Sequence, residues 1–117
     1  MTFKSVKGSI KPYRLRVYII DLKKSVLNNS QFSKKNPDYI VGKPCVYVGS
    51  TAKSVEERFE EHLAGTRSNK YAKKFGRRLR CKDMVSIRPR KTRKSIEMKE
   101  AEVARELRKR GWAVWSN

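Results

Sequence analysis

The chain has 117 residues, with 30 Lys and Arg against 11 Asp and Glu, and a formal net charge of +19. That excess is far above the roughly 2 to 8 charges that keep a small domain in solution, and a field of this sign selects polyanions, nucleic acid first. A membrane surface is the other polyanion, but no membrane partner is expected, since no apolar run reaches the roughly 18 residues of a spanning helix.

No signal-peptide apolar core is expected at the N-terminus. Two cysteines, Cys45 and Cys81, cannot supply a disulfide framework or a metal quartet, so a reducing, cytoplasmic setting is expected. The length suits one domain with a modest core. Residues 1–12 read as a basic N-terminal arm and residues 13–117 as the folded domain. Tyr13 to Leu22 (YRLRVYIIDL) alternates and then turns continuously apolar, as a strand entering a core does. Lys23 to Lys43 is rich in Ser, Asn, Lys and Pro, and predicts an extended surface loop with at most a short helical turn.

Pro44 to Gly65 (PCVYVGSTAKSVEERFEEHLAG) organises the rest. Cys45 to Val48 is a strand bounded by Pro44 and Gly49, with Cys45 as a small buried hydrophobe. Ser54 and Glu57 form a capping box, which starts a helix at Val55, and Gly65 stops it. On that helix Val55, Arg58, Phe59 and His62 stand at i, i+3, i+4 and i+7. An arginine and the chain's single histidine therefore share the inward stripe, while Glu56, Glu57, Glu60 and Glu61 take most of the other face.

Ser68 to Phe75 (SNKYAKKF) predicts a short helix, capped by Ser68 or Asn69, with Tyr71 and Phe75 inward. A third strand is expected within Leu79 to Ile87, centred on Met84 to Ile87, followed by a basic loop from Arg88 to Lys94. Gly65 to Lys94 holds thirteen Lys and Arg against one acid, Asp83, which marks it as the stretch that meets a phosphate backbone. Lys70, Lys73, Lys74, Arg77 and Arg78 are its candidate nucleic-acid contacts. Ser95 to Arg110 predicts a second long helix, capped by Ser95 and ended by Gly111. Trp112 to Trp115 (WAVW) closes as a short strand or as a cover over the core.

Glu100, Val103, Ala104 and Leu107 share one face of that helix, so Glu100 is the carboxylate expected to point inward. Burying it alone is costly, and it should meet Arg58, a metal ion, or both. One histidine and two separated cysteines cannot bind structural zinc, and no serine sits in a nucleophile elbow. A single hard carboxylate suits Mg²⁺ or Mn²⁺, with water and phosphate oxygens as further ligands, and Arg58 could stabilise charge developing on a phosphate. The parts describe metal-assisted phosphodiester chemistry.

With Val17-Tyr18-Ile19 as a first motif, Tyr47-Val48-Gly49 as a second, Arg58 and His62 on the next helix and a glutamate on a later one, the sequence resembles the GIY-YIG nuclease superfamily from about Arg16 to Trp115. The resemblance implies a small α/β sandwich whose central three-stranded, mostly antiparallel sheet is flanked by helices. It implies a DNA endonuclease with Tyr18, Tyr47, Arg58, His62 and Glu100 as catalytic residues and Glu100 as the ligand of Mg²⁺ or Mn²⁺. One tyrosine would activate or position the attacking water and the other would contact the phosphate or metal-bound water, in either assignment. Arg58 would stabilise the pentavalent phosphate, and His62 would assist a tyrosine or bind phosphate. Cleavage would leave 5′-phosphate and 3′-hydroxyl ends. Lys53 resembles the basic residue that some members place near the scissile phosphate. Arg16 stands where the first motif usually has Gly. No separate sequence-reading module is legible, so either specificity is low or it comes from the extended loop, the basic stretch, a homodimer or a partner protein. The rival readings are a non-catalytic basic nucleic-acid-binding protein that keeps the fold, and a small ribosome-associated RNA-binding protein. Both account for the charge, and neither requires Arg58 and His62 to face inward.

Overall fold

The computed structural model describes residues 15–65 and 69–116. The expected arm, Tyr13, Arg14 and the proposed cap Ser68 lie outside these residues. Strand β1 (Arg16–Leu22) runs into a 3₁₀ turn (Lys24–Asn28), helix α1 (Ser30–Lys34) and strand β2 (Cys45–Thr51). Helices α2 (Val55–Ala64) and α3 (Lys70–Phe75) follow, then strand β3 (Gly76–Leu79), a one-turn helix α4 (Cys81–Met84), the long helix α5 (Arg93–Lys109) and strand β4 (Ala113–Ser116).

The sheet has four strands in the order β3-β1-β2-β4, one more than expected. β1 pairs antiparallel with both β2 and β3. The extra strand is the WAVW segment: β4 pairs parallel to β2, from Cys45↔Ala113 to Val48↔Ser116. A parallel pair needs a long crossover, and the chain from α2 to α5 supplies it. The third strand also lies upstream of its expected place: Gly76–Leu79 is the strand, while Cys81–Met84 is helical. A buried carboxylate explains the shift. Asp21 on β1 draws Arg77, Arg78 and Arg80 to 3.5, 4.0 and 3.1 Å, which places the arginine-rich segment beside β1. Met84 and Ile87 instead pack on the core beneath α5.

Alternation along β1 sends Val17 and Ile19 to one face and Tyr18, Ile20 and Leu22 to the other. Both faces are covered, which is why the strand reads as a continuous apolar run. Ile96, Ala104 and Leu107 of α5 fill the first core. Tyr71 and Ala72 of α3, with Val26 and Phe32 from the segment after β1, fill the second.

The Lys23 to Lys43 segment lies at the surface with most of its residues exposed, but it holds a 3₁₀ turn and a helix and is anchored in the core. Val26 and Phe32 are fully buried, and Asn29 caps α1 by accepting the Phe32 amide at 3.0 Å. Asn36 serves as a substitute strand for the edge of β4: its Oδ1 accepts the Val114 amide at 2.7 Å, and its Nδ2 donates to the Val114 carbonyl at 3.1 Å. A scattered apolar pattern hid this, because only a few side chains of the segment carry its packing. At α5, Thr92 rather than Ser95 is the cap, accepting the Ser95 amide at 3.1 Å, so the helix starts three residues earlier than a Ser95 cap would set it.

Candidate active site

The capping box is formed as expected: the Ser54 hydroxyl accepts the Glu57 amide at 3.1 Å, and Gly65 closes α2 with φ of 86°. With its start and stop set, α2 carries Val55, Arg58, Phe59 and His62 toward the sheet. His62 is completely buried. Its Nε2 lies 2.7 Å from the Tyr18 hydroxyl, and its ring meets Tyr47 edge-on at a centroid distance of 5.3 Å. Tyr18 and Tyr47, on neighbouring strands, complete the aromatic cluster at 6.0 Å.

Gly49 makes room for this arrangement. A Cβ there would lie 2.5 Å from the Tyr18 hydroxyl oxygen and 2.6 Å from Cζ, both inside van der Waals contact. Arg16 projects into solvent, so its side chain crowds nothing at the position where the motif usually has Gly.

The two tyrosines open into a cleft of about 450 Å³, lined by Tyr18, Tyr47, Ser50, Arg58, Arg93, Glu97 and Glu100. The cleft draws on both faces of the sheet: the tyrosines and Arg58 come from one side, and Ser50 and Glu100 from the other. They meet at the end of β2, past Val48, the last of its residues paired with β4.

Electrostatics separate the roles of these groups. Burial lowers the His62 pKa to about 4, with the Arg58 charge acting in the same direction, so the imidazole is neutral at physiological pH. Burial raises the Tyr18 pKa; the Arg58 charge and hydrogen bonds to Arg58 and Tyr47 oppose it. Tyr47 is pushed up further, by burial and then by Tyr18. Burial also raises the Glu100 pKa, against a hydrogen bond from Ser50; the Glu97 charge adds to the rise and Arg93 opposes it. Burial works against the Arg58 charge, but the bond it donates to Glu61 at 2.8 Å and its interaction with Tyr18 together outweigh burial and hold the guanidinium charged.

Four of the expected residues, Tyr18, Tyr47, Arg58 and Glu100, thus line one cleft, with His62 directly behind Tyr18. Lys53 does not line the cleft; it pairs with Glu61, the half-buried carboxylate that also binds the cleft residue Arg58. Nor do the other expected nucleic-acid contacts line the cleft. Lys70 donates to Gln31 at 2.9 Å, Lys74 lies over the Phe75 ring, and Arg77 and Arg78 face Asp21. Lys73 packs against Gly65. Three cleft residues were missed: Ser50, Arg93 and Glu97. A signal for two of them existed, because Arg93, Glu97 and Glu100 stand at i, i+4 and i+7; Arg93 drops out once the helix is begun at Ser95, while Glu97, three residues before Glu100, stays within it.

Among the described residues no group of three or more His, Cys, Asp or Glu is placed to hold a metal ion. A cation with few protein ligands nonetheless fits. Glu100 is only 7% exposed, takes part in none of the described ion pairs, and faces a polar cleft. A buried carboxylate in that state could accept a hard divalent ion that retains most of its water.

A family model described as the GIY-YIG catalytic domain matches residues 17–112. The chain belongs to the GIY-YIG family. It is therefore a member of a nuclease family, with nucleic acid as the implied substrate. The match spans both tyrosine motifs, α2 and all of α5. No curated protein matches this GIY-YIG chain, and neither does any solved structure. None of its described helices is long and apolar enough to cross a membrane.

Proposed function

We propose that this GIY-YIG protein is a metal-dependent endonuclease that hydrolyses phosphodiester bonds in DNA, with water as nucleophile, in a reducing cytoplasmic setting. The observation that carries the reading is the 2.7 Å contact between the Tyr18 hydroxyl and Nε2 of a neutral, buried His62. A raised tyrosine pKa makes free tyrosinate a poor resting state. The contact offers a concerted alternative. Water at the cleft gives its proton to the Tyr18 oxygen as the Tyr18 proton passes to His62 Nε2; hydroxide adds to phosphorus, the P–O3′ bond breaks, and the departing 3′-oxygen takes a proton from solvent water. Tyr47, whose pKa is raised further, keeps its proton and donates to a phosphate oxygen. Arg58 stabilises the charge that grows on the pentavalent phosphate.

Glu100, supported by Ser50 and flanked by Glu97, would hold Mg²⁺ or Mn²⁺. A divalent ion there supplies Lewis-acid neutralisation of phosphate charge. Affinity comes mainly from phosphate contacts and falls steeply with salt.

The deciding experiment is cleavage of supercoiled plasmid and branched DNA with Mg²⁺, Mn²⁺ or EDTA, comparing wild type with Arg58→Ala and Glu100→Ala. The expected result is metal-dependent cleavage by wild type, lost in both variants, with DNA binding retained. Binding without cleavage of any substrate would replace this reading with a non-catalytic nucleic-acid-binding protein.

A further inference from the structure

A second cleft, of about 430 Å³, lies on the exposed side of α5 and shares no lining residue with the tyrosine cleft. Four cations line it (Arg90, Lys94, Lys99 and Arg105) against one carboxylate, Glu102. Lys99 sits 3.4 Å from that carboxylate and neutralises it. Arg90 donates to the Arg88 and Pro89 carbonyls at 2.9 and 3.4 Å, bonds that orient its guanidinium and leave its charge in place. Lys94 and Arg105 are exposed and take part in none of the described ion pairs. Met98, 65% exposed, adds an apolar patch to the same wall.

The two clefts flank the first turns of α5. Arg93, Glu97 and Glu100 line one, and Lys94, Met98 and Arg105 line the other. A polyanion crossing the tyrosine cleft over Arg93 meets Lys94 as the next charge. From Lys94 to Arg105 the helix rises about 16 Å, the length of about five nucleotides of one strand. Residues 1–14 are not a complementary occupant, since Lys4, Lys7, Lys11 and Arg14 have the same sign and no acid stands among them.

We propose that this groove binds the sugar-phosphate backbone of DNA flanking the scissile phosphate, with Lys94 and Arg105 as phosphate contacts and Met98 against the sugars. The word "scissile" rests on the endonuclease reading above; the binding itself does not. The groove would add to the contacts expected from Lys70 to Arg78, a segment that lines neither of these two clefts.

The test is a set of anisotropy titrations of the full chain with duplex DNA in EDTA over a range of salt concentrations. Lys94→Ala with Arg105→Ala should weaken binding and flatten the slope of log K against log salt by about 2, one for each lost phosphate contact. Glu102→Lys should tighten binding and steepen the slope by about 1. Opposite responses of the two variants cannot come from misfolding, and any other pattern overturns the groove. Single-turnover cleavage at saturating DNA should be unchanged in both. Its loss would also overturn the proposal, by placing these residues in the chemistry. Cleavage by wild type with unresponsive groove variants leaves the endonuclease reading intact. Opposite binding responses without cleavage by any form remove that reading and retain the groove.

Discussion

Tyr18 and His62 lie 44 residues apart in the chain, yet the hydroxyl of one is 2.7 Å from Nε2 of the other. The histidine is fully buried behind the tyrosine, so its partner in any proton transfer with the cleft is the Tyr18 hydroxyl. His62→Ala should therefore lower the single-turnover cleavage rate by roughly 10²- to 10⁴-fold, the usual scale of general acid–base catalysis. The Kd for DNA measured in EDTA should be unchanged. A variant with wild-type rate would remove His62 from the relay.

The same histidine sets a pH dependence of stability. Its folded-state pKa is about 4 against an ordinary 6.5. Between those values the unfolded chain binds a proton that the folded chain does not, so stability rises with pH across this window and is flat on either side. The full span corresponds to about 3 kcal/mol. Urea unfolding of wild type and His62→Gln from pH 4 to 8 checks it: the wild-type advantage should grow to pH 6.5 and then level off.

Gly49 is held to glycine by space alone. A methyl group there would come within 2.5 Å of the Tyr18 oxygen, and both strands around it are buried, so the tyrosine ring must move. Gly49→Ala should destabilise the fold by about 1 to 3 kcal/mol and reduce cleavage by about 10²-fold, since displacement of about 1 Å misplaces the reacting groups. Thermal melts and single-turnover rates measure the two effects separately.

Glu100→Gln should abolish both metal-dependent cleavage and Mn²⁺ binding measured by titration calorimetry. In EDTA its melting temperature should equal or exceed that of wild type, because a buried carboxylate whose charge burial disfavours is replaced by a neutral group of the same shape that can still accept from Ser50. A marked drop in melting temperature would instead make Glu100 a structural residue.

Asn36 lies far from the cleft and tests the fold. Its side chain pairs with both backbone groups of Val114 and accepts from Arg108 Nε at 3.2 Å. Asn36→Leu leaves the buried Val114 amide without this acceptor and should cost about 2 to 4 kcal/mol in chemical denaturation. The cleavage rate per folded molecule should be retained.

These residues divide by the range over which their positions are encoded. Ser54, Glu57 and Gly65 set the limits of α2 locally, and the helical period then turns Arg58 and His62 to one side, so this half of the site was legible in the chain alone. The same holds for Tyr18 and Tyr47 on their strands and for Glu100 on the apolar face of α5. What tertiary structure decided was which elements meet. β3 is placed by a buried Asp21 drawing arginines from more than fifty residues away. β4 becomes a fourth strand because β2 offers an edge to it and Asn36 covers its other side. Arg93 joins the helical face of Glu97 and Glu100 because Thr92, not Ser95, caps α5. Local periodicity reports which way a side chain faces. Pairing across a sheet, and the burial that makes a charge seek a partner, depend on contacts between distant segments that no short window of sequence contains.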